Sequence, residues 1–277
     1  MSVTYERFRV QSDAGVVSVT FDHPPVNLMD RTMTKELRDL LAVLQKDEVT
    51  KVVVFKSNNP DFFIAHADLG MFDGKLTQAP ERSTKLNFIH RLFEDYRTLP
   101  KATIAVIEGL ANGAGTEFAM SLDMRFGALD RAKIGQFEVA LGCLPGGTGT
   151  QRFAHHLGRS RALEVILGCG EFDAKTAELY GIINRALPPD ELHRFVDALA
   201  ARIASFPLKA IALAKAAVDT ASLDPAPALI EESYLAGQLM VTAEVERRFR
   251  KALALGLQTA DGEKNLASIL GKLGEES

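Results

Sequence analysis

Short, unbroken apolar runs place the strongest constraint on what this chain can fold into. Residues 16–21 read Val-Val-Ser-Val-Thr-Phe, residues 51–55 read Lys-Val-Val-Val-Phe, and residues 103–107 read Thr-Ile-Ala-Val-Ile. Each is too short for a stable helix and rich in β-branched residues, so each reads as a strand. The second and third are apolar with little alternation, which suits strands covered on both faces. The first is stopped by Asp22-His23-Pro24-Pro25, a cluster that cannot continue a ladder.

Helical stripes lie between these runs. Asp30 is placed to cap a helix whose Met33, Leu37, Leu40, Leu41 and Leu44 share one face. Leu86, Ile89, Phe93 and Tyr96 form a second stripe, ended by Pro100. After a loop over 57–61 comes the short run Phe62-Phe63-Ile64-Ala65, and the 103–107 run enters a glycine-rich turn and then a helix from Thr116. Strands alternating with helices predict an α/β fold with a largely parallel sheet. From about residue 148 strand signals fade. Leu192, Phe195, Val196, Leu199 and Ile203 form one helical stripe, Pro207 restarts a second helix, and residues 226–241 read as a third. Much of the apolar surface of this helical third is expected to face something other than its own helices, such as another subunit.

A chain of 277 residues, at roughly 150 residues per domain, fits one large domain or two small ones. It is long enough to bury a sizeable core without disulfides or a structural metal. Hydrophobic residues at 47% and charged residues at 25% are the balance of a globular chain, which argues against disorder and coiled coil. The net charge is −4 and no basic stripe stands out, against a nucleic-acid binder. Cys143 and Cys169 make neither a disulfide framework nor a zinc motif and fit a reducing compartment. The start, residues 1–8, lacks the basic and apolar regions of a signal peptide, so a cytoplasmic protein is expected. No apolar run approaches the roughly 20 residues of a membrane span. The longest, 208–218, contains Lys209 and Lys215.

The stretch 109–149 is richest in chemical possibilities. Asn112-Gly113-Ala114-Gly115-Thr116-Glu117 is a turn into a helix, where free backbone amides favour negative charge. The dinucleotide glycine pattern and the P-loop lysine are both missing. A structural turn and an amide oxyanion hole both remain open. Downstream lie Gln136-Phe137-Glu138 and Gly142-Cys143-Leu144-Pro145-Gly146-Gly147-Thr148-Gly149. Two glutamates beside glycine-rich turns can divide acid and base work if their surroundings push their pKa values apart. The histidines His23, His90, His155, His156 and His193 have no metal-helix spacing, no serine lies in a G-x-S-x-G elbow, and all five read as surface or satisfied side chains. The run from Glu244 to Lys251 reads as a solvated helix face.

Four segments, in order, resemble the enoyl-CoA hydratase/isomerase (crotonase) family. They are Phe63-Ile64-Ala65-His66-Ala67-Asp68-Leu69, the strand Lys101 to Gly109, Asn112 to Met120 with Asp123, and Phe137-Glu138 through Gln151-Arg152. The likeness runs from about residue 5 to about residue 220. It implies a ββα spiral core over residues 1–200 and a helical C-terminal trimerisation region over 201–277. It implies an acyl-CoA thioester substrate whose carbonyl oxygen sits between the amides of Ala67 and Ala114. It implies Glu117 activating a water and Glu138 delivering a proton, with the Gly146 amide helping to place that water. Val26, Ala65, His66, Asp68, Leu69 and Gly146 are the matching substrate-binding positions. No metal and no separate cofactor are implied, since coenzyme A arrives on the substrate; the assembly implied is a homotrimer or a dimer of trimers. Keeping both glutamates points to hydration of a 2-enoyl-CoA. Isomerase, lyase or hydrolase chemistry on the same scaffold, or a non-catalytic acyl-CoA binder, are the alternatives.

The chain departs from the family pattern at several places. His66 stands where the family has Gly and is expected to point away from the channel. Gly70 stands where many members have Lys, Ala114 replaces Gly, and Phe137 replaces Pro. The turn over 127–133 is about one residue longer. Near the C-terminus Gly262-Glu263-Lys264-Asn265 lacks the aromatic that follows in relatives. The basic contacts to coenzyme phosphates are therefore not supplied at the two expected places.

Overall fold

A computed structural model describes residues 4–72, 78–220 and 225–274. The first three residues of the N-terminal stretch and parts of the 201–277 region lie outside the described residues.

Among the described residues, ten strands make two sheets. Strands β1 (Phe8–Asp13), β2 (Val16–Phe21), β3 (Val52–Ser57), β5 (Ala102–Ile107), β7 (Met124–Ala128) and β10 (Arg185–Leu187) form the larger, in that order. Strands β4 (Phe62–Ile64), β6 (Leu110–Asn112), β8 (Lys133–Gly135) and β9 (Glu171–Asp173) form the smaller. The β1–β2 and β8–β9 pairs are antiparallel and the rest parallel. Successive turns of chain visit the larger sheet, then the smaller. The pairs β3–β4 and β5–β6 are then followed by helices α2 (Phe88–Arg97) and α3 (Ala114–Met120), after α1 (Arg31–Lys46) has crossed from β2 to β3. The pair β7–β8 leads to α4 (Gly149–Leu157) and α5 (Arg159–Gly168), and β9 leads to α6 (Ala174–Tyr180). This is the spiral expected from the resemblance.

The apolar runs lie where their composition puts them. Val52, Val53, Val54 and Phe55 are buried, as are all six residues of β5. Asp30 caps α1 by accepting from the Met33 amide, and Met33, Leu37, Leu40, Leu41 and Leu44 are all buried. Two expectations need correction. Helix α3 starts at Ala114, two residues before Thr116. Strand structure continues past residue 148, because β9 and β10 each extend a sheet by pairing with β8 and β7. The Leu192 to Ile203 stripe on α7 (Pro189–Ala204) does face something other than its own helices, and that is β3, β5 and β7 of the same chain.

The last helices fall into two groups. Helix α8 (Leu208–Asp219) has no buried residue, although Lys215 ties it to the Lys101 carbonyl and to Asp123 at 2.7 Å each. Helices α9 (Ala226–Met240), α10 (Ala243–Ala254), α11 (Ala260–Lys264) and α12 (Leu266–Lys272) turn back on the core. Val245, Ala252, Leu257, Leu266 and Ile269 form one cluster with Leu69, Phe137, Leu141 and Cys143. The run from Glu244 to Lys251 is therefore not wholly solvated. Its charges pair locally, Glu244 with Arg247 and Arg248, while Arg248 Nη1 donates to the Ala140 carbonyl at 2.8 Å.

Phe118 fixes α3 against the larger sheet. Its ring centroid lies 5.1 Å from Phe55, 5.4 Å from Tyr96, 5.6 Å from Phe93 and 6.2 Å from Phe21. Phe118→Ala should cost about 3–5 kcal/mol by the usual cavity penalty for a buried aromatic. Urea unfolding measures it, and a loss below about 1 kcal/mol would mean that the cluster does not hold α3.

Candidate active site

A cavity of about 630 Å³ opens beside the N-terminus of α3. His66, Ala67, Leu69, Ala114, Glu117, Glu138 and Gly146 line it, so seven of the expected site residues come together. Val26, Ala65 and Asp68 do not line it. Val26 and Ala65 are fully buried together with Phe62 and Leu110. Asp68 caps the turn after it, accepting from the Gly70 amide at 2.9 Å and from Gln258 at 3.1 Å.

Each candidate is held by an identifiable local device. The Met29 amide donates to the His66 carbonyl at 2.8 Å, and the Asp68 amide donates to the Met29 carbonyl at 3.1 Å. Met29 and Ala67 thus form a lone parallel bridge. In a parallel bridge the partner residue bonds the two neighbours of the central one, so the central Ala67 amide is left for another acceptor. Ala114 opens α3, where backbone amides have no intrahelical partner. Among the described residues neither amide meets an acceptor within the chain. Gly113 precedes it at φ +48°, and a Cβ there would sit 2.8 Å from Glu138 Oε1. Glycine is needed at that position both for its backbone angle and for the approach of Glu138.

Glu117 is 3% exposed. Its Oε1 accepts from the Gly147 amide at 2.9 Å and the Gly149 amide at 2.8 Å. A Cβ at Gly147 would lie 2.6 Å from Glu117 Oε2, so a side chain there would displace the carboxyl group. Burial, reinforced by the negative charges of Glu138 and Glu232, raises Glu117 well above the usual carboxylate range, against these two donors. Glu138 opens the short 3₁₀ turn Glu138–Leu141. With its amide oriented to satisfy the network, Gln136 donates to both Glu138 oxygens at 3.0 and 2.7 Å. Burial pushes Glu138 up to about 7, although the backbone donors nearby and the charge of His66 work the other way. The charge of Glu138 raises Glu117, so the protons of the two groups belong to the pair. Burial also pushes the Cys143 thiol up, which keeps it protonated and a poor nucleophile.

His66 does not point away. It is 1% exposed and lines the cavity. Its Nε2 lies 2.9 Å from Glu263 Oε1, its Nδ1 lies 2.7 Å from the Ala67 carbonyl, and its ring meets the Phe137 edge at 5.0 Å. The expectation fails because Glu263, far along the chain, supplies a buried partner that keeps the ring inside. His90 is likewise fully buried rather than surface, with Nε2 2.9 Å from the Gly146 carbonyl and 3.0 Å from Glu232 Oε1. Glu232 on α9 also accepts from the Thr148 amide at 2.7 Å and the Thr150 amide at 3.0 Å. It thereby holds the loop whose next amides bind Glu117.

Glu232, Glu263 and the roles of His90 and Gln136 escaped the sequence reading. Glu263 was seen only as part of a terminal motif, and Glu232 carried no signal. Arg31 and Lys35, on the first turns of α1, also line the cavity at its exposed rim. Among the described residues no group of three or more His, Cys, Asp or Glu side chains is placed to hold a metal ion, and no helix is long and apolar enough to cross a membrane.

The model of the enoyl-CoA hydratase/isomerase family matches residues 11–254. A relative from Arabidopsis thaliana, provisionally named enoyl-CoA hydratase 2, mitochondrial, is 33% identical over 75% of this chain and 68% of its own. A Mycobacterium tuberculosis relative, also provisionally named an enoyl-CoA hydratase, is 31% identical over 79% of this chain and 83% of its own. A crystal structure from Streptomyces avermitilis, again provisionally named an enoyl-CoA hydratase, is 37% identical. It superimposes with a TM-score of 0.91 over 99% of this chain and 100% of the other. The chain belongs to the enoyl-CoA hydratase/isomerase family of enzymes, and its fold is the crotonase fold of that family.

Proposed function

We propose that the protein adds water across the 2,3 double bond of a 2-enoyl-CoA, giving a 3-hydroxyacyl-CoA. The observation that carries this reading is the meeting of two carboxyl groups, Glu117 buried and Glu138 half-buried, with two unused backbone amides at one cavity. The thioester oxygen accepts from the Ala67 and Ala114 amides, which stabilise the charge that builds on it as C3 is attacked. Glu117, as carboxylate, takes a proton from the water whose oxygen bonds to C3. Glu138, as carboxylic acid, delivers its proton to C2. The Gly146 amide helps place the water. Glu117 ends with one proton more and Glu138 with one fewer, so the pair holds one proton before and after. The two states are the two arrangements of a single shared proton, and a hop through the next water resets them. This chemistry draws only on the chain and its substrate, with coenzyme A as part of that substrate.

The lining supports an apolar acyl group, since Phe137, Leu141, Leu144 and Phe249 stand around the glutamates. Arg31 and Lys35 are proposed to meet coenzyme phosphates at the rim. The exposed Leu213 and Val218 of α8 fit a contact between copies, as a homotrimer or dimer of trimers; sedimentation that gives a monomer would refute it. A cytoplasmic enzyme is the matching location.

Hydration of crotonyl-CoA, followed by loss of the conjugated thioester absorbance, tests the reaction. Wild-type protein should turn over; tight acyl-CoA binding without turnover on any enoyl-CoA would refute it. Glu138→Gln should lower kcat by about 10²–10⁴-fold with KM nearly unchanged, as loss of a general acid does. Wild-type turnover in that variant would remove Glu138 from the mechanism. The pair carries two protons at low pH and gives up the first as pH rises through about 7, while burial and the charge of Glu138 raise Glu117 as well, so the remaining proton is shared between the two. An acid and a base coexist only in the one-proton form. The pH profile of kcat/KM for hydration should therefore rise with pH through about 7. A profile flat across that range would contradict the shared proton. Arg31→Ala with Lys35→Ala should raise KM by about 2–10-fold, the range for two exposed charges, and leave kcat unchanged. An unchanged KM would mean that the phosphates are met elsewhere.

A further inference from the structure

The His66–Glu263 pair is the buried ionisable cluster that this mechanism leaves unused. Both ring nitrogens of His66 face acceptors, the Ala67 carbonyl at 2.7 Å and Glu263 Oε1 at 2.9 Å. A neutral imidazole has one donor nitrogen and one acceptor nitrogen. With Glu263 as carboxylate both partners are acceptors, and the doubly protonated ring satisfies both. Glu263 is fully buried, its Oε1 also accepts from the Gln258 amide at 2.7 Å, and its Oε2 has no partner among the described residues. A carboxylate held so far from water needs an opposite charge beside it, and the imidazolium is that charge. The ring lies between the two halves of the candidate site. It belongs to the residue before Ala67, it hydrogen-bonds the Ala67 carbonyl, and it packs on Phe137, next to Glu138.

We propose that His66, kept as an imidazolium by Glu263, is a positioning residue for the hydration: it fixes the Ala67 loop and sets positive charge beside Glu138 and the thioester oxygen. The proposal rests on the hydratase reading for its role and on the ring geometry for its charge. Glu263 is then the residue through which the C-terminal helices complete the site. The ionisable groups that act on this cation are Glu263 on α11 and Glu138 on its 3₁₀ turn, and Glu232 on α9 acts on Glu138 in turn. The Cys143 and Cys169 thiols nearby are kept protonated by burial. Against the burial penalty, the hydrogen bond and charge of Glu263, then the Ala67 carbonyl and Glu138, favour the charged ring.

Nitrogen-15 NMR of labelled histidine in the wild-type protein reads the charge directly and needs no turnover. Both His66 nitrogens should be protonated at pH 7.5, and a neutral tautomer would overturn the proposal. Glu263→Gln keeps an acceptor of the same shape but removes the charge that holds the proton. It should lower kcat by about 10–100-fold, the range for a misplaced reacting group, with a smaller change in KM. It should also move the rising limb of the pH profile to higher pH, because Glu138 loses a cationic neighbour. His66→Gln should act in the same direction, and the double variant should be no worse than either single one. A folded Glu263→Gln with wild-type kcat and an unmoved limb would overturn the proposal. Wild-type protein inactive on every enoyl-CoA would refute the hydratase reading instead, and the NMR titration would still decide the charge pair.

Discussion

The rest of the site depends on two carboxyl groups held in one apolar cavity, Glu117 buried and Glu138 half-buried. Out of water a carboxylate needs donors or it takes up a proton, and two of them close together resist ionising at once. Glu117 answers this with the amides of Gly147 and Gly149, and Glu138 with the amide of Gln136. Those donors must themselves be held. Glu232 and His90 fix the loop that carries Gly147 and Gly149, while the Phe118 cluster fixes the helix that carries Glu117. Each layer supports a group inside it that is charged or carries a proton in an apolar setting.

Two histidine–glutamate pairs bracket this arrangement. In each, the histidine belongs to the spiral and the glutamate to the helices after residue 225. His90–Glu232 holds the glycine loop behind Glu117, and His66–Glu263 lies behind Ala67 and Glu138. The C-terminal helices therefore do more than cover apolar surface. They bring two buried carboxylates back onto the two loops that form the cavity wall, and Arg248 adds a third tie at Ala140. A division between core and tail describes the path of the chain, whereas the site is assembled from both.

Some of this was legible in the sequence for clear physical reasons. The β2, β3 and β5 runs and the Asp30 cap are local signals, carried by β-branched residues and by one side chain three positions from its partner amide. Glu117 and Glu138 stood out because each sits beside glycines required by close approach. Strands β8, β9 and β10 did not, because three residues are too few for a period and their stability comes from the neighbouring strand. The partners of His66 and His90 lie 197 and 142 residues away, and no local pattern encodes such a meeting. His66 was therefore misread: its burial and charge follow from Glu263, which only the fold brings to it.

Hydration is defined by where the atoms of one water molecule go. Incubation of a 2-enoyl-CoA with the protein in water labelled with oxygen-18, followed by mass spectrometry of the products, traces them. The account predicts one oxygen-18 on C3 of an intact coenzyme A ester. Label in a free carboxylate would mean thioester hydrolysis, and an unlabelled, rearranged acyl-CoA would mean isomerisation; either result would contradict it.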